Sequence, residues 1–275
     1  MTQMQEPSSL GRIVELVRDL RARCPWDAAQ TPRSLRPYLV EEALELDHAI
    51  GTGDLARLKD ELGDLMLHVA FQIVLAEEDG RFGAEDLTRQ VEEKMWRRHP
   101  HLFTVAGAEG AGNAAGRLQS AEPGAAGEPD SGARWEAAKL DERDPARPSV
   151  LDGLPPTLPA LIMAFRLQER AAGVGFDWPD ADGPRAKVHE ELTELERELR
   201  DDAPAERIVL EIGDLLFAVV NLARKLGHDP RAALERANDK FERRFRQVEA
   251  MAERQGLQLG QASLDELDAL WDETK

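Results

Sequence analysis

The feature that most constrains this chain is an acidic pattern that occurs twice. In the C-terminal half Glu191-x-x-Glu194 is followed by Glu211-x-x-Asp214, and in the N-terminal half Glu42-x-x-Glu45 is followed by Glu61-x-x-Asp64. Acids three residues apart lie on neighbouring turns of a helix and point the same way. The second pair of each half is set in an apolar run. Ile208 to Leu210, Ile212 and Leu215 to Val220 surround Glu211 and Asp214, while Leu62, Leu65 to Leu67, Val69, Phe71 and Ile73 to Leu75 surround Glu61 and Asp64. A helix that is apolar around most of its circumference is expected to be buried. A buried carboxylate is costly unless a cation meets it, and four oxygen ligands with no Cys and no paired His suit Mg²⁺ or Mn²⁺.

The phase of the two patterns agrees. At about 100° per residue, Glu42 and Glu45 lie about 60° and 120° to one side of Leu39, and Glu191 and Glu194 take the same places relative to Val188. Other segments also recur. Lys94-Met-Trp-Arg97-Arg98 matches Lys240-Phe-Glu-Arg243-Arg244, and Trp135-Glu-Ala-Ala-Lys139 matches Trp271-Asp-Glu-Thr-Lys275. The chain therefore reads as a duplicated helical domain, residues 1–145 and 150–275, joined through the prolines at 145, 148, 155 and 156. Helical periodicity is expected from Leu10 to Leu20, from Pro32 or Leu35 to Ile50, from Asp54 to about Ala76 and from Ala84 to Arg98. In the second half it is expected from Leu158 to Ala172, Arg185 to Arg200, Ala205 to Leu226, Pro230 to Glu253 and Ser263 to Trp271. Cys24-Pro25-Trp26-Asp27 reads as a break, and a short helix is expected around Trp135 to Asp141. Residues 106–132, rich in Gly, Ala, Ser and Pro without periodicity, read as a flexible loop.

Composition narrows the function. Of the 275 residues, 42% are hydrophobic, 32% charged and only 5% aromatic, as in a helix-rich soluble protein. A formal net charge of −18 argues against a nucleic-acid surface, which needs basic residues over phosphates. A lone Cys24 excludes an intrachain disulfide, and no segment reaches the roughly 20 apolar residues that span a bilayer, so a cytoplasmic protein is expected. A di-iron carboxylate bundle wants Glu-x-x-His on two helices, and only Glu45-Leu-Asp-His48 has that spacing. His68, one turn after Asp64, reads as a satisfied core histidine or an outer-shell group. Lys240, Arg243 and Arg244 beside the Phe241, Phe245 and Val248 stripe suit a polyphosphate, or else surface ion pairs. Trp271 either stacks a base or caps the core.

With these residues in view, the sequence resembles the EExxE…ExxD signature of the MazG family of all-α nucleoside triphosphate pyrophosphohydrolases. Glu41-Glu42-x-x-Glu45 and Glu190-Glu191-x-x-Glu194 carry the resemblance. So do Arg97-Arg98-His99-Pro100-His101, Val174-Gly-Phe-Asp-Trp178 and Lys240-Phe-Glu-Arg-Arg-Phe245. The resemblance implies two tandem bundles of four or five helices, a homodimer, and Mg²⁺-dependent hydrolysis of a nucleoside triphosphate to monophosphate and pyrophosphate. On that footing Glu191, Glu194, Glu211 and Asp214 hold Mg²⁺ and carry catalysis, and Glu42, Glu45, Glu61 and Asp64 are the matching ligands of the first unit. Lys187, Lys240, Arg243 and Arg244 face the triphosphate, Asn238 is a polar contact, and Trp271 meets base or sugar. Lys94 and Arg98 are the first-unit counterparts of Lys240 and Arg244. The first unit departs from this pattern with Tyr38 for Lys187, Glu92 for Asn238 and Phe71 for Asn221. Catalysis is therefore expected chiefly in the second. The alternative is a non-catalytic helical interaction or regulatory protein.

Overall fold

Local signals set most helix ends. The computed structural model describes residues 9–98 and 149–275, and among them there is no strand. The first unit contains α1 (Ser9–Arg23), α2 (Pro25–Ala28), α3 (Pro32–Thr52), α4 (Leu55–Glu78) and α5 (Ala84–Arg98). The second contains α6 (Ala160–Ala172), α7 (Asp182–Arg200), α8 (Ala205–Lys225), α9 (Pro230–Gln255) and α10 (Leu264–Glu273). Thr31 and Ser34 form a capping box at α3, with Pro32 at its first turn, and Ser263 and Glu266 do the same at α10. α3 and α9 both stop at a left-handed glycine, Gly53 and Gly256. The helices expected within the described residues are present, with ends shifted by a few residues. The Cys-Pro-Trp-Asp break winds into the short α2, because Pro25 sits at its first turn. The helix expected around Trp135 and the loop at 106–132 lie outside the described residues, as does the junction between the two units.

The chain forms two compact units, one built from α1 to α5 and the other from α6 to α10. In the first, α4 packs against both α1 and α3. Val14 and Val17 of α1, Leu35 of α3 and Phe71, Val74 and Leu75 of α4 make its core. Arg18 bonds Glu77 and Arg21 bonds Glu78, tying α1 to the end of α4. Arg21 also donates to the carbonyls of Asp27 and Gln30, so one side chain fixes the turn that leads into α3. In the second unit α7 and α8 form a closely packed hairpin, α6 lies against α8, and α10 folds back on α9 around Val248, Ala252 and Leu270. No helix among the described residues is long and apolar enough to cross a membrane.

One expectation fails. The apolar helices are not wholly buried: Leu62 and Val69 of α4, and Val209, Leu210, Leu216 and Phe217 of α8, are open to solvent. A helix apolar on two sides has one side more than its own unit can cover.

Leu35, fully buried at the junction of α1, α3 and α4, makes the first core sensitive to truncation. Leu35→Ala is expected to cost about 2–5 kcal/mol in urea unfolding. A change below about 0.5 kcal/mol would mean that the described core does not hold this unit together.

Candidate metal centre

The inward face of α7 is acidic. Pro184, Glu191 and Glu198 recur every seven residues, two helical turns, and all three are buried. Glu191 is 5% and Glu198 2% exposed, whereas the neighbouring Leu192 and Leu199 are 42% and 56% exposed. The acids, not the leucines, are turned inward in the α7–α8 hairpin. From α8, Glu211 and Asp214 complete a cluster with Glu191 in which one carboxylate oxygen of each lies within 4.8 Å of the others. Glu194 stands outside this trio, yet its charge reaches Glu211. Burial first, then Glu194, Glu198, Asp214 and Glu191, push the Glu211 carboxyl above its ordinary value. Crowded hard oxygens on two fixed helices fit a divalent cation by number, type and charge.

The first unit repeats the arrangement with one exchange. Here Glu42, Glu45 and Glu61 form the close trio, and Asp64 is the outlier. Glu42 is raised by burial and then by Asp64, Glu45, Glu61 and Glu41; Glu61 is raised by burial and by Glu45, against an opposing pull from Arg57. Each four-residue set predicted from sequence thus comes together as three close acids and one nearby.

The two clusters differ in their neighbouring cation. In the second unit Lys187 Nζ lies 2.5 Å from Glu191 Oε1 and 2.9 Å from Glu190 Oε1. Those two hydrogen bonds hold the lysine charged well above its usual range. In the first unit Tyr38 takes this place and stacks on His68, with ring centroids 6.3 Å apart. His68 Nε2 is 3.8 Å from Glu42 Oε1, and its Nδ1 is buried without a partner. The reading of His68 as a satisfied core histidine is therefore wrong. Sequence reasoning also passed over Glu198, which receives Arg207 Nη2 at 2.6 Å and closes the seam below the cluster. Its signal was the spacing of seven from Glu191.

Asn238, Lys240 and Arg243 are exposed on α9. Arg244 instead lies over the Trp271 ring, 4.6 Å from its centroid, and donates to the carbonyl and hydroxyl of Thr274. Trp271 also meets Phe241 at 5.4 Å and packs on the α9–α10 core, so of its two readings the structure supports the core cap. Lys94 and Arg98 are half-buried on α5.

A family model described as the MazG nucleotide pyrophosphohydrolase domain matches residues 30–103 and 184–249. The chain belongs to the MazG family. The matched segments hold α3 to α5 and most of α7 to α9, hence both acidic clusters. Over 277 residues the chain is 39% identical to a nucleoside triphosphate pyrophosphohydrolase of Escherichia coli K12, covering 99% of this chain and 98% of the relative. It is 40% identical over 265 residues to a nucleoside triphosphate pyrophosphohydrolase/pyrophosphatase MazG of Thermotoga maritima, covering 96% and 94%. It is also 39% identical over 262 residues to the uncharacterized protein YabN of Bacillus subtilis, covering 94% of this chain but 50% of that one.

The raised carboxyls give a signed prediction. Glu42, Glu61 and Glu211 bind protons more readily folded than unfolded, so their contribution without metal worsens as pH rises from the unfolded carboxylate range through the raised values. A bound divalent ion removes that penalty. Mg²⁺ at 100 times its dissociation constant adds about 2.7 kcal/mol if only the native state binds it. Melts with Mg²⁺ or EDTA at constant ionic strength should show a larger Mg²⁺ increment at neutral pH than near the carboxylate range. Equal melts in all four conditions would count against a metal centre.

Proposed function

We propose that this MazG protein hydrolyses nucleoside triphosphates to the monophosphate and pyrophosphate, chiefly at the second cluster. The observation that carries the reading is the close trio Glu191, Glu211 and Asp214 with Lys187 against it. Membership of the family and the activity named for the E. coli and T. maritima relatives support it. A divalent cation held by Glu191, Glu194, Glu211 and Asp214, Mg²⁺ in our reading with Mn²⁺ able to replace it, supplies Lewis-acid charge for the phosphoryl oxygens and lowers the pKa of a water.

The chain's own groups do the rest. Two packed helices fix the carboxylates, so little ordering remains for the moment of reaction. Lys187 neutralises Glu191 in this structure, and its partly exposed ammonium would serve a phosphate oxygen if Glu191 were engaged as a ligand. Lys240 and Arg243, exposed and on one helix with Asn238, are the cations left to meet the outgoing pyrophosphate, because Arg244 is engaged by Trp271 and Thr274. In the first unit Lys94 and Arg98 correspond to Lys240 and Arg244, but Tyr38 supplies no charge to replace Lys187. We assign that unit, with its ligands Glu42, Glu45, Glu61 and Asp64, a structural or regulatory role.

The exposed Leu192 and Leu199 of α7, with Leu216 and Phe217 of α8, are the apolar surface that a homodimer would cover. The half-buried free Cys24 and the net charge of −18 suit a cytoplasmic protein without nucleic-acid or membrane partners.

Glu191→Gln preserves shape while removing a charged ligand and is expected to lower kcat by at least about 100-fold, whereas Glu42→Gln retains most activity. Both are assayed side by side for pyrophosphate release at saturating Mg²⁺, with helix content checked by circular dichroism. Equal losses would show two working sites. Release of orthophosphate and diphosphate would show that the wrong bond had been assigned.

A further inference from the structure

The loop that precedes α7 in the second unit plays no part in the chemistry above, yet it is held firmly and presents aromatic surface. Gly175, Phe176, Asp177 and Trp178 line a cavity of about 270 Å³. Phe176 is 83% exposed, an unusual fate for a phenylalanine in a fixed loop. The loop is pinned from beneath. Asp177 accepts from Arg224 Nη2 at 2.6 Å and from Lys225 Nζ at 3.0 Å, and Lys225 also bonds the Trp178 carbonyl. Burial alone would raise the Asp177 carboxyl, but these hydrogen bonds bring it below its ordinary value. The Trp178 ring lies so close to Gly183, in the first turn of α7, that a Cβ there would run into it. The amide N–H of Phe176 bonds the Ala171 carbonyl at the end of α6.

The position of this anchor relates the loop to the metal centre. Glu211, Asp214, Asn221 and Lys225 fall within one stripe of α8, about 80° wide at 100° per residue. At 1.5 Å per residue, Asn221 and Lys225 lie about 10 and 16 Å along the helix from Asp214. Lys187 marks the same direction on α7, between Glu191 and the loop. A nucleotide whose α-phosphate sat at Asp214 and Glu191 with its nucleoside turned along this line would reach the loop with its base. Asn221 accepts from Arg224 through Oδ1 at 2.8 Å, which leaves its amide donors uncommitted among the described residues. The first unit has no such end. Phe71 stands in place of Asn221 and is buried in its core.

We propose that the Gly175–Trp178 loop is the nucleoside-end recognition element of the second site, with the base stacked on Phe176 and Asn221 facing the ribose or the base edge. The proposal rests on the hydrolase reading. The cavity is smaller than the roughly 300 Å³ or more that drug-sized ligands fill, so it suits a base alone, and a ring of any base can use an aromatic face.

Phe176→Ala removes an exposed side chain and leaves the Asp177 clamp intact. Loss of base stacking is expected to raise KM for the preferred nucleoside triphosphate by roughly 5- to 150-fold, with kcat within about twofold and with Phe176→Tyr restoring KM. Inorganic tripolyphosphate, which has no base, should inhibit wild type and Phe176→Ala with the same Ki. An unchanged KM, or an equal change in the tripolyphosphate Ki, would overturn the proposal while leaving the hydrolase reading in place. A weakened self-association of Phe176→Ala in sedimentation, with KM unchanged, would make the loop a contact between copies and end the proposal. Absence of any nucleotide cleavage by the wild type would defeat the hydrolase reading, and this inference with it.

Discussion

Mutual repulsion among carboxylates along the α7–α8 seam is the constraint to which the second unit answers. Glu191 is buried, Glu211 and Asp214 lie close enough to share a ligand, and Glu198 adds a fourth acidic group to the same seam. A packed hairpin with that many like charges inside is unstable unless cations are supplied. The chain supplies three of its own, Lys187 on Glu191 and both Arg207 and Arg197 on Glu198. What remains, Glu211 with Asp214 and Glu194, has no side-chain cation among the described ion pairs. The uncompensated part of the seam is the part that invites a metal.

The two units apply different solutions to the same pattern. In the first, the stripe of α4 beyond the acids is carried into the core by Phe71, Val74 and Leu75, and α1 closes over it through Arg18 and Arg21. In the second, α6 also packs on α8, but the corresponding stripe of α8 stays polar through Asn221, Arg224 and Lys225, and its end receives the Asp177 loop. Side chains near the cluster follow this divergence. Lys187 has become Tyr38, and the small Ala218 has become His68, which lies near Glu42 and stacks with Tyr38. One helical frame thus gives an open polar end in one unit and a filled apolar end in the other.

Much of this was legible in the residues. The duplication, the paired acids and the capping residues Thr31, Asp54, Asp229 and Ser263 fix helix identity and approximate ends, because they act within a single turn. Which face of α7 turns inward was not legible. Leu192, Leu199 and the acids lie on neighbouring faces, and an apolar stripe reads the same whether it faces its own unit or a second copy. In the structure Leu192 and Leu199 stay open to solvent, and Glu191 and Glu198 are buried. Trp271 was ambiguous for a similar reason, since stacking on a ligand and stacking on Arg244 ask for the same residue type. The role of Arg244 depends on the return of α10 along α9, a tertiary event with no local signature.

The central claim is that the α7–α8 seam is a divalent-metal site. Anomalous diffraction from crystals grown with Mn²⁺ tests it without reference to turnover. The account predicts a peak bounded by Glu191, Glu194, Glu211 and Asp214, with the Lys187 ammonium displaced from Glu191. A Mn²⁺-soaked crystal with no peak there, and Lys187 still bonded to Glu191, would contradict it.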